Sequence, residues 1–377
     1  FISKMKILAI DTSCDDTSVA ISEDRRILAN IFWSKLKVHN DWGGVVPSEA
    51  KRQHEEFLPS AIDAALEQSK VKLEEIDCFA VTYGPGLAIA LEPGLQKAKE
   101  LATQYKKPLI PVNHMLAHIY ANLAQDENGK SLSQVDSFEF PSLALTISGG
   151  HTDLYLLQDN FKFELIGTTL DDAIGEAFDK VGRLLGLGFP AGHKVEQLAK
   201  SGDRTRFKLP HPLSQTPDFN WSYSGLKTAV LYELNKLIGR YQNDIDKGDL
   251  KIEDISSLLE EKDIADMAAS FQFAAIESLC IKIKKALLMH KPKMLIVGGG
   301  VIANTALRER LTQLCHEFGV QLVYPTPMWL CTDNAAMIAT AGYFYSSKNI
   351  MLNSDSEFEK LDRKPSLTIK TDVFLNN

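Results

Sequence analysis

The sequence predicts an α/β fold of two lobes, each a mixed β-sheet with flanking helices, the second lobe duplicating the first. Two observations carry this expectation. The chain has 377 residues, 45% of them hydrophobic and 24% charged. That is more than one ordinary core serves, and two domains suit it. A tight polar hairpin followed by a strand–glycine–helix unit also occurs twice, in the same order.

The elements follow in chain order. The four residues before Met5 are left out of the fold reading. "KILAIDTSCDDTSVAIS" reads as a strand through Ile7–Ile10, a turn rich in Ser, Asp and Thr, then a second strand. "CFAVTYGPGLAIALEPGLQKAKELA" is strand, Gly-Pro-Gly turn, helix. "PLIPV" is a strand that runs into "NHMLAHIYANL", a helix with Asn113 as its N-cap. The second half repeats the order. "LALTISGGHTDLYLL" is strand, Gly-Gly turn, strand, and "MLIVGGGVIANTALRERL" is strand, glycine turn, helix, opening near Val301. The expected lobes are 5–128 with about 326–377, and 129–325. Residues 240–266 read as a charged helical insertion on the surface. The tail from Lys348 reads as extended or partly ordered, packed on the surface of the first lobe. This organisation resembles that of the actin-like ATPase superfamily, in which two lobes clamp a nucleotide.

Composition narrows the function. No stretch resembles a signal peptide and no apolar run reaches spanning length, so a soluble cytoplasmic protein without membrane contact is expected. Five scattered cysteines without a C-x-x-C suggest neither a disulfide framework nor a zinc–thiolate site. The net charge is −8, whereas dedicated nucleic-acid binders are usually basic. Contact with nucleic acid would therefore rest on a local patch or a basic partner. Two basic runs offer themselves: Arg204, Arg206 and Lys208, and Lys282, Lys284, Lys285, Lys291 and Lys293. A charged helix face is the commoner meaning of such runs.

The chemistry-bearing residues start with His114 and His118, one helical turn apart on one face. By itself such a pair is more often two unrelated surface histidines. At the positive end of a helix dipole the rings should stay neutral, the state a metal requires. Asp333, just before a helix near Ala335, offers a third ligand, although capping that helix would also explain it. A 2-His-1-carboxylate set suits iron or zinc and leaves positions open. Gly149 and Gly150 let the backbone approach a ligand, and their N–H groups with the Ser148 hydroxyl could bind anionic oxygens. The helix after Gly298–Gly300 could do the same with its N-terminus.

Nine blocks, from about Lys6 to Tyr343, resemble the TsaD-type tRNA threonylcarbamoyltransferases, relatives of the KEOPS catalytic subunit. They are "DTSCDDTSVAI", "GGVVPSEAKRQH", "YGPGL", "NHMLAH", "SGGHT", "DDAIGEAFDKVGRLLGL", "FNWSYSGLKT", "GGGVIAN" and "CTDNAAMIA". The resemblance implies an actin-like two-lobe fold with a metal at the cleft. It implies transfer of threonylcarbamoyl from threonylcarbamoyl-AMP to N6 of the adenosine 3′ of the anticodon in tRNAs reading ANN codons. It places the metal ligands at His114, His118 and Asp333, with iron(II) first and zinc(II) as the alternative. Substrate contacts fall on Thr146, Ile147, Ser148, Gly149, Gly150, Asp179, Gly192, Glu196 and Asn304. Asp179 and Glu196 are of a type that binds ribose hydroxyls, although Asp172, Glu176 and Asp179 also line up as a solvated helix face would. The implied partners are tRNA, an actin-like paralogue (TsaB) on the first lobe and a small ATPase (TsaE).

The sequence departs from the family pattern in places. Cys14-Asp15-Asp16 stands where the family has Cys-Asp-Glu, Leu116-Ala117 where it has Glu-Gly, and Pro190-Ala191-Gly192-His193 in the Pro-Gly-Gly-Pro region. Asp15 or Asp16 is the candidate to accept a proton or hold the target adenine. Three rivals share some of these features. A metallopeptidase would want a glutamate beside the first histidine, which "HMLAH" lacks. An actin-like kinase would not need the histidines, and a non-catalytic subunit would have lost the ligand set.

Overall fold

The computed structural model describes residues 4–33, 47–239 and 256–375. Among the described residues, ten strands form two five-stranded sheets. The first holds β1 (Lys6–Asp11), β2 (Thr17–Glu23), β3 (Arg26–Trp33), β4 (Cys78–Gly84) and β5 (Leu109–Asn113), in the order β3-β2-β1-β4-β5. β1, β2 and β3 pair antiparallel, as short polar turns allow, while β4 and β5 run parallel to β1. Parallel neighbours need a crossover, and the helix Ala88–Tyr105 supplies it between β4 and β5.

The second sheet holds β6 (Ser142–Ile147), β7 (Thr152–Leu157), β8 (Phe163–Thr168), β9 (Met294–Gly298) and β10 (Gln321–Val323), in the order β10-β9-β6-β7-β8. Strand for strand this is the order of the first sheet, so the duplication seen in the glycines is a duplication of topology. The described residues group into two compact units. One comprises residues through 138 with 296–299 and those from 323 on; the other comprises 139–295 with 300–322.

Helices cover both faces of the first sheet. Leu8, Ile10, Phe79 and Val81 share a buried cluster with Leu58 and Ile62 of the helix Pro47–Ser69 and with Leu95 and Leu101. Side chains alternate along a strand, so Ile7 and Ala80 face the other way, where Gly342 of the helix Ala335–Ser347 lies against them. Burial on both faces explains why β1 and β4 are continuous apolar runs rather than alternating ones.

Three expectations need correction. The tail is not a surface excursion: Phe358, Leu361 and Leu367 belong to the core cluster of the first unit, and Leu109 and Leu352 exchange backbone hydrogen bonds. The insertion placed at 240–266 lies largely outside the described residues, and its end, from Glu261, begins a 30-residue helix to His290. That helix is long and apolar enough to span a membrane, with a mean hydropathy of 1.3 over its best window, but 72% of the window is buried. It is a core helix, packing within the second unit on the helices Gly192–Ala199 and Thr305–Phe318.

Candidate functional site

The candidate metal ligands all lie in the first unit. β5 ends at Asn113, whose side chain accepts from the N–H groups of Met115 and Leu116 and so starts the helix His114–Tyr120. A cap at that position makes His114 and His118 the first residues of successive turns, both buried. Their rings meet edge to face with centroids 4.8 Å apart. Asp333, 215 residues beyond His118, brings Oδ1 to 3.1 Å from His118 Nε2 and 3.3 Å from His114 Nε2. One donor atom from each of the three residues falls within 4.8 Å of the others.

Capping does not explain Asp333. Asn334 caps the following helix, accepting from Met337 N–H. Its Nδ2 donates to the carbonyls of Trp329, Leu330 and Thr332, which ties down the loop that carries Asp333. The carboxylate is left to face the histidines.

The rings do not both stay neutral without a metal, as the helix dipole alone would have it. Burial disfavours the charged form of each. At His114 the carboxylates of Asp333 and Asp11 override burial and lift the imidazole to about 10. At His118 burial prevails, helped by the neighbouring His114, and its value falls. The two histidines outweigh burial at Asp333 and hold it well below the usual carboxylate range. A metal bound here would therefore displace a proton. Two imidazoles and a carboxylate, mostly buried and converging from separate elements, are a donor set that fits a divalent transition ion.

Sequence reasoning misses Asp11. It ends β1, accepts from Ser13 N–H at 3.2 Å and Thr82 Oγ1 at 2.8 Å, and lies 3.7 Å from His114 Nδ1. A carboxylate beside the second ring nitrogen is how ligand histidines are oriented. His54 is missed too. It is fully buried on the helix Pro47–Ser69, with Nδ1 2.8 Å from Thr17 Oγ1 and Nε2 3.1 Å from the Cys14 carbonyl. A carbonyl only accepts, so Nε2 carries the hydrogen and Nδ1 accepts from Thr17. His54 thus clamps both ends of the turn that holds Asp15 and Asp16. That turn lies near the triad: after burial and Asp15, the charge of Asp333 is among the causes that push the Cys14 thiol up.

Gly298, at the end of β9, approaches the same helix. A Cβ there would stand 2.4 Å from the His118 carbonyl oxygen. Asn122 Nδ2 donates to the Val297 carbonyl at 3.2 Å. This glycine is demanded by packing on the histidine helix. The helix after it opens later than expected: Gly300–Ala303 form a 3-10 turn, and Asn304 caps the α-helix Thr305–Phe318 by accepting from Leu307 N–H.

The candidate substrate residues all lie in the second unit. Thr146 and Ile147 are fully buried in β6, and the chain reaches the surface only at Ser148, Gly149 and Gly150. The Ser148 hydroxyl accepts from the N–H groups of Gly150 and His151, so it holds the turn. A Cβ at Gly149 or Gly150 would meet nothing within 4 Å, whereas one at Gly175 would meet the Ser148 carbonyl at 2.4 Å. Gly175 lets the helix Ile174–Leu184 pack directly under an open turn.

Asp179 is not on a solvated face. It accepts from Ala191 N–H at 2.7 Å and Gly192 N–H at 3.2 Å, at the start of the helix Gly192–Ala199. Burial raises its carboxyl even though these two donors oppose it. One turn on from Gly192, buried Glu196 accepts from Thr305 N–H at 2.9 Å. Asn304, next to Thr305, donates through Nδ2 to Gln272 Oε1 at 2.8 Å. The structure so links Asp179, Gly192, Glu196 and Asn304 through one short helix.

The basic runs are partly committed elsewhere. Arg206 pairs with Asp263 at 2.5 Å and buried Asp266 at 2.8 Å. The Asp203 N–H and Arg206 hold Asp266 well below the usual carboxylate range. Lys282 is buried and donates to the carbonyls of Thr216 and Asp218.

Fold and site define a class: a duplicated α/β protein with a two-histidine, one-carboxylate donor set in its first unit. Comparison with known proteins narrows it. The sequence model of one family, described as "TsaD: tRNA N6-adenosine threonylcarbamoyltransferase", matches residues 26–340. The chain is 41% identical to a tRNA N6-adenosine threonylcarbamoyltransferase of Thermosipho africanus, over 97% of its own length and 100% of the relative's. It is 43% identical to one of Thermosipho melanesiensis over 93% and 98%, and 41% to one of Clostridium perfringens over 97% and 99%. The chain belongs to the TsaD family.

Proposed function

We propose that this chain transfers the threonylcarbamoyl group from threonylcarbamoyl-AMP to N6 of the adenosine 3′ of the anticodon in tRNAs reading ANN codons. The observation that supports it most is the convergence of His114, His118 and Asp333, from distant parts of a chain that matches these transferases over nearly its whole length.

One divalent ion, iron(II) in first place and zinc(II) as the alternative, would be held by His114, His118 and Asp333, where it would supply Lewis-acid polarisation of the acyl carbonyl. The chain's own residues do the rest. The negative charge of Asp11, 3.7 Å from His114 Nδ1, favours the ring orientation that leaves Nε2 toward Asp333. The Ser148–Gly150 turn, open above both glycines, receives the anionic part of the acyl-adenylate. Asp179, Gly192, Glu196 and Asn304 surround its ribose, with Glu196 and Asn304 already fixed on one side by Thr305 and Gln272. AMP is a good leaving group, so positioning carries most of the catalytic burden. Asp15 or Asp16, on the turn clamped by His54, accepts the proton released by the N6 amine or holds the adenine. A loop nucleotide offers that base more cheaply than a duplex does. The chain works in the cytoplasm on tRNA, with an actin-like paralogue (TsaB) on its first unit and a small ATPase (TsaE).

The test supplies synthesised threonylcarbamoyl-AMP and tRNA to the zinc- or iron-loaded chain with its partners. AMP and modified nucleoside should appear together, and His118→Ala should abolish both along with bound metal. Neither product from the loaded wild-type assembly would overturn the reading.

A further inference from the structure

Asn113 joins β5 to the histidine helix. Its Oδ1 accepts from Met115 N–H at 3.0 Å and Leu116 N–H at 3.3 Å. An amide has an accepting and a donating end, and a flip would set its NH2 against those two donors. What holds the right way round lies 259 residues further on, where Asp372 Oδ2 accepts from Asn113 Nδ2 at 3.1 Å. Asp372 is fully buried, just past the 3-10 turn Ile369–Thr371. Its other oxygen accepts from Tyr83 Oη at 2.6 Å and Phe374 N–H at 3.1 Å. Phe374 also packs edge to face on Tyr83, with centroids 5.4 Å apart. A carboxylate that only accepts can face only the NH2 end of Asn113.

We propose that Asp372, in the C-terminal segment, is a positioning residue of the metal centre. It sets the orientation of the Asn113 amide, and through that cap the start of the helix that presents His114 and His118. The inference rests on the metal reading of His114, His118 and Asp333. It extends the site to the last elements of the chain, which carry no metal-ligating motif.

Asp372→Asn changes almost no volume but sets donor against donor, whichever way the new amide turns. The swapped pair Asn113→Asp with Asp372→Asn restores each of the bonds named above. In that pair the carboxylate at position 113 accepts from Met115, Leu116 and the new amide. The amide oxygen at position 372 accepts from Tyr83 and Phe374. Asp372→Ala removes the acceptor without the clash. Zinc(II) affinity of the purified full chain is measured by competition with a chromophoric chelator, with melting followed in parallel and His118→Ala as the reference. Asp372→Asn and Asp372→Ala should each weaken zinc binding about tenfold, and the swapped pair should return it to within about threefold of wild type. Wild-type zinc affinity in both single variants, while His118→Ala loses zinc, would overturn the inference. So would a swapped pair as weak as Asp372→Asn. Undiminished zinc binding by His118→Ala would instead remove the metal reading itself.

Discussion

Replace Gly298 with alanine. The new Cβ would stand 2.4 Å from the carbonyl oxygen of His118, 2.8 Å from its carbonyl carbon and 3.0 Å from its Cβ. Comfortable contact needs about 3.5 Å, so strand and helix must part by about 1 Å. The obstacle is backbone, which cannot rotate aside, and Asn122 ties the helix to Val297. Overpacking of this kind costs about 1–3 kcal/mol. For a unit of this size that lowers Tm by about 2–12 °C. The same shift moves a ligand ring, and metal distances tolerate only about 0.2 Å. Zinc affinity should therefore fall about tenfold or more. Gly149→Ala is the control: its Cβ meets nothing within 4 Å, and stability should stay within about 0.5 kcal/mol. Calorimetric melting and zinc titration of both variants decide the matter. If Gly298→Ala melts and binds zinc like wild type, the packing argument fails.

Other expectations follow from the same geometry. Asp179→Ala leaves the N–H groups of Ala191 and Gly192 without their acceptor, so isothermal titration with a non-hydrolysable acyl-adenylate analogue should show weaker binding. Unchanged affinity with a lowered Tm would reduce Asp179 to a helix cap. His54→Ala should lower kcat while zinc stoichiometry holds, and His54→Asn, which keeps a donor and an acceptor, should recover part of it; equal loss in both would refute the clamp. Isolated-chain tRNA binding should be weak and salt-sensitive, as phosphate neutralisation requires, and tighter with the paralogue. Arg206→Glu should lower Tm by breaking the pairs to Asp263 and Asp266, and tRNA anisotropy that changes for Arg204→Glu with Tm unchanged would mark the exposed arginine as the contact.

How legible is this in the sequence? Signals that act within a few residues are readable: the glycine punctuation that betrays the duplication, the Asn113 cap, the one-turn histidine spacing. What fails depends on distance. Asp11 looks like any strand-ending aspartate until His114 arrives beside it. His54 sits in an unremarkable amphipathic helix, and only the fold brings Cys14 and Thr17 to its two nitrogens. Asp372 lies in a tail with no period, because much of its order comes from Tyr83 and Asn113, far away in the chain. The helix after Gly298 reads as starting too early because a glycine run imitates a cap. The real cap is a side chain, Asn304, beyond the 3-10 turn Gly300–Ala303. The basic runs are only partly legible, because sequence shows charge but not the partners, Asp263, Asp266 and the 216–218 carbonyls, that claim Arg206 and Lys282.

The asparagines explain why the triad is available at all. A helix start leaves unpaired N–H groups that some side chain must satisfy. A carboxylate at such a place would itself be drawn into capping. Here asparagine takes that role beside each functional position: Asn113 directly before His114, Asn334 directly after Asp333. Each asparagine also has a donor end, and both use it to fix a loop or tail, Asn334 through Trp329, Leu330 and Thr332 and Asn113 through Asp372. The cap therefore does two things at once. It frees the neighbouring imidazole or carboxylate from backbone duty, and it locks the segment from which that side chain projects. Exchanging Asp333 and Asn334 would keep composition and charge but give the carboxylate to the helix and an amide to the histidines. On this reasoning that exchange would keep the helix and lose the metal.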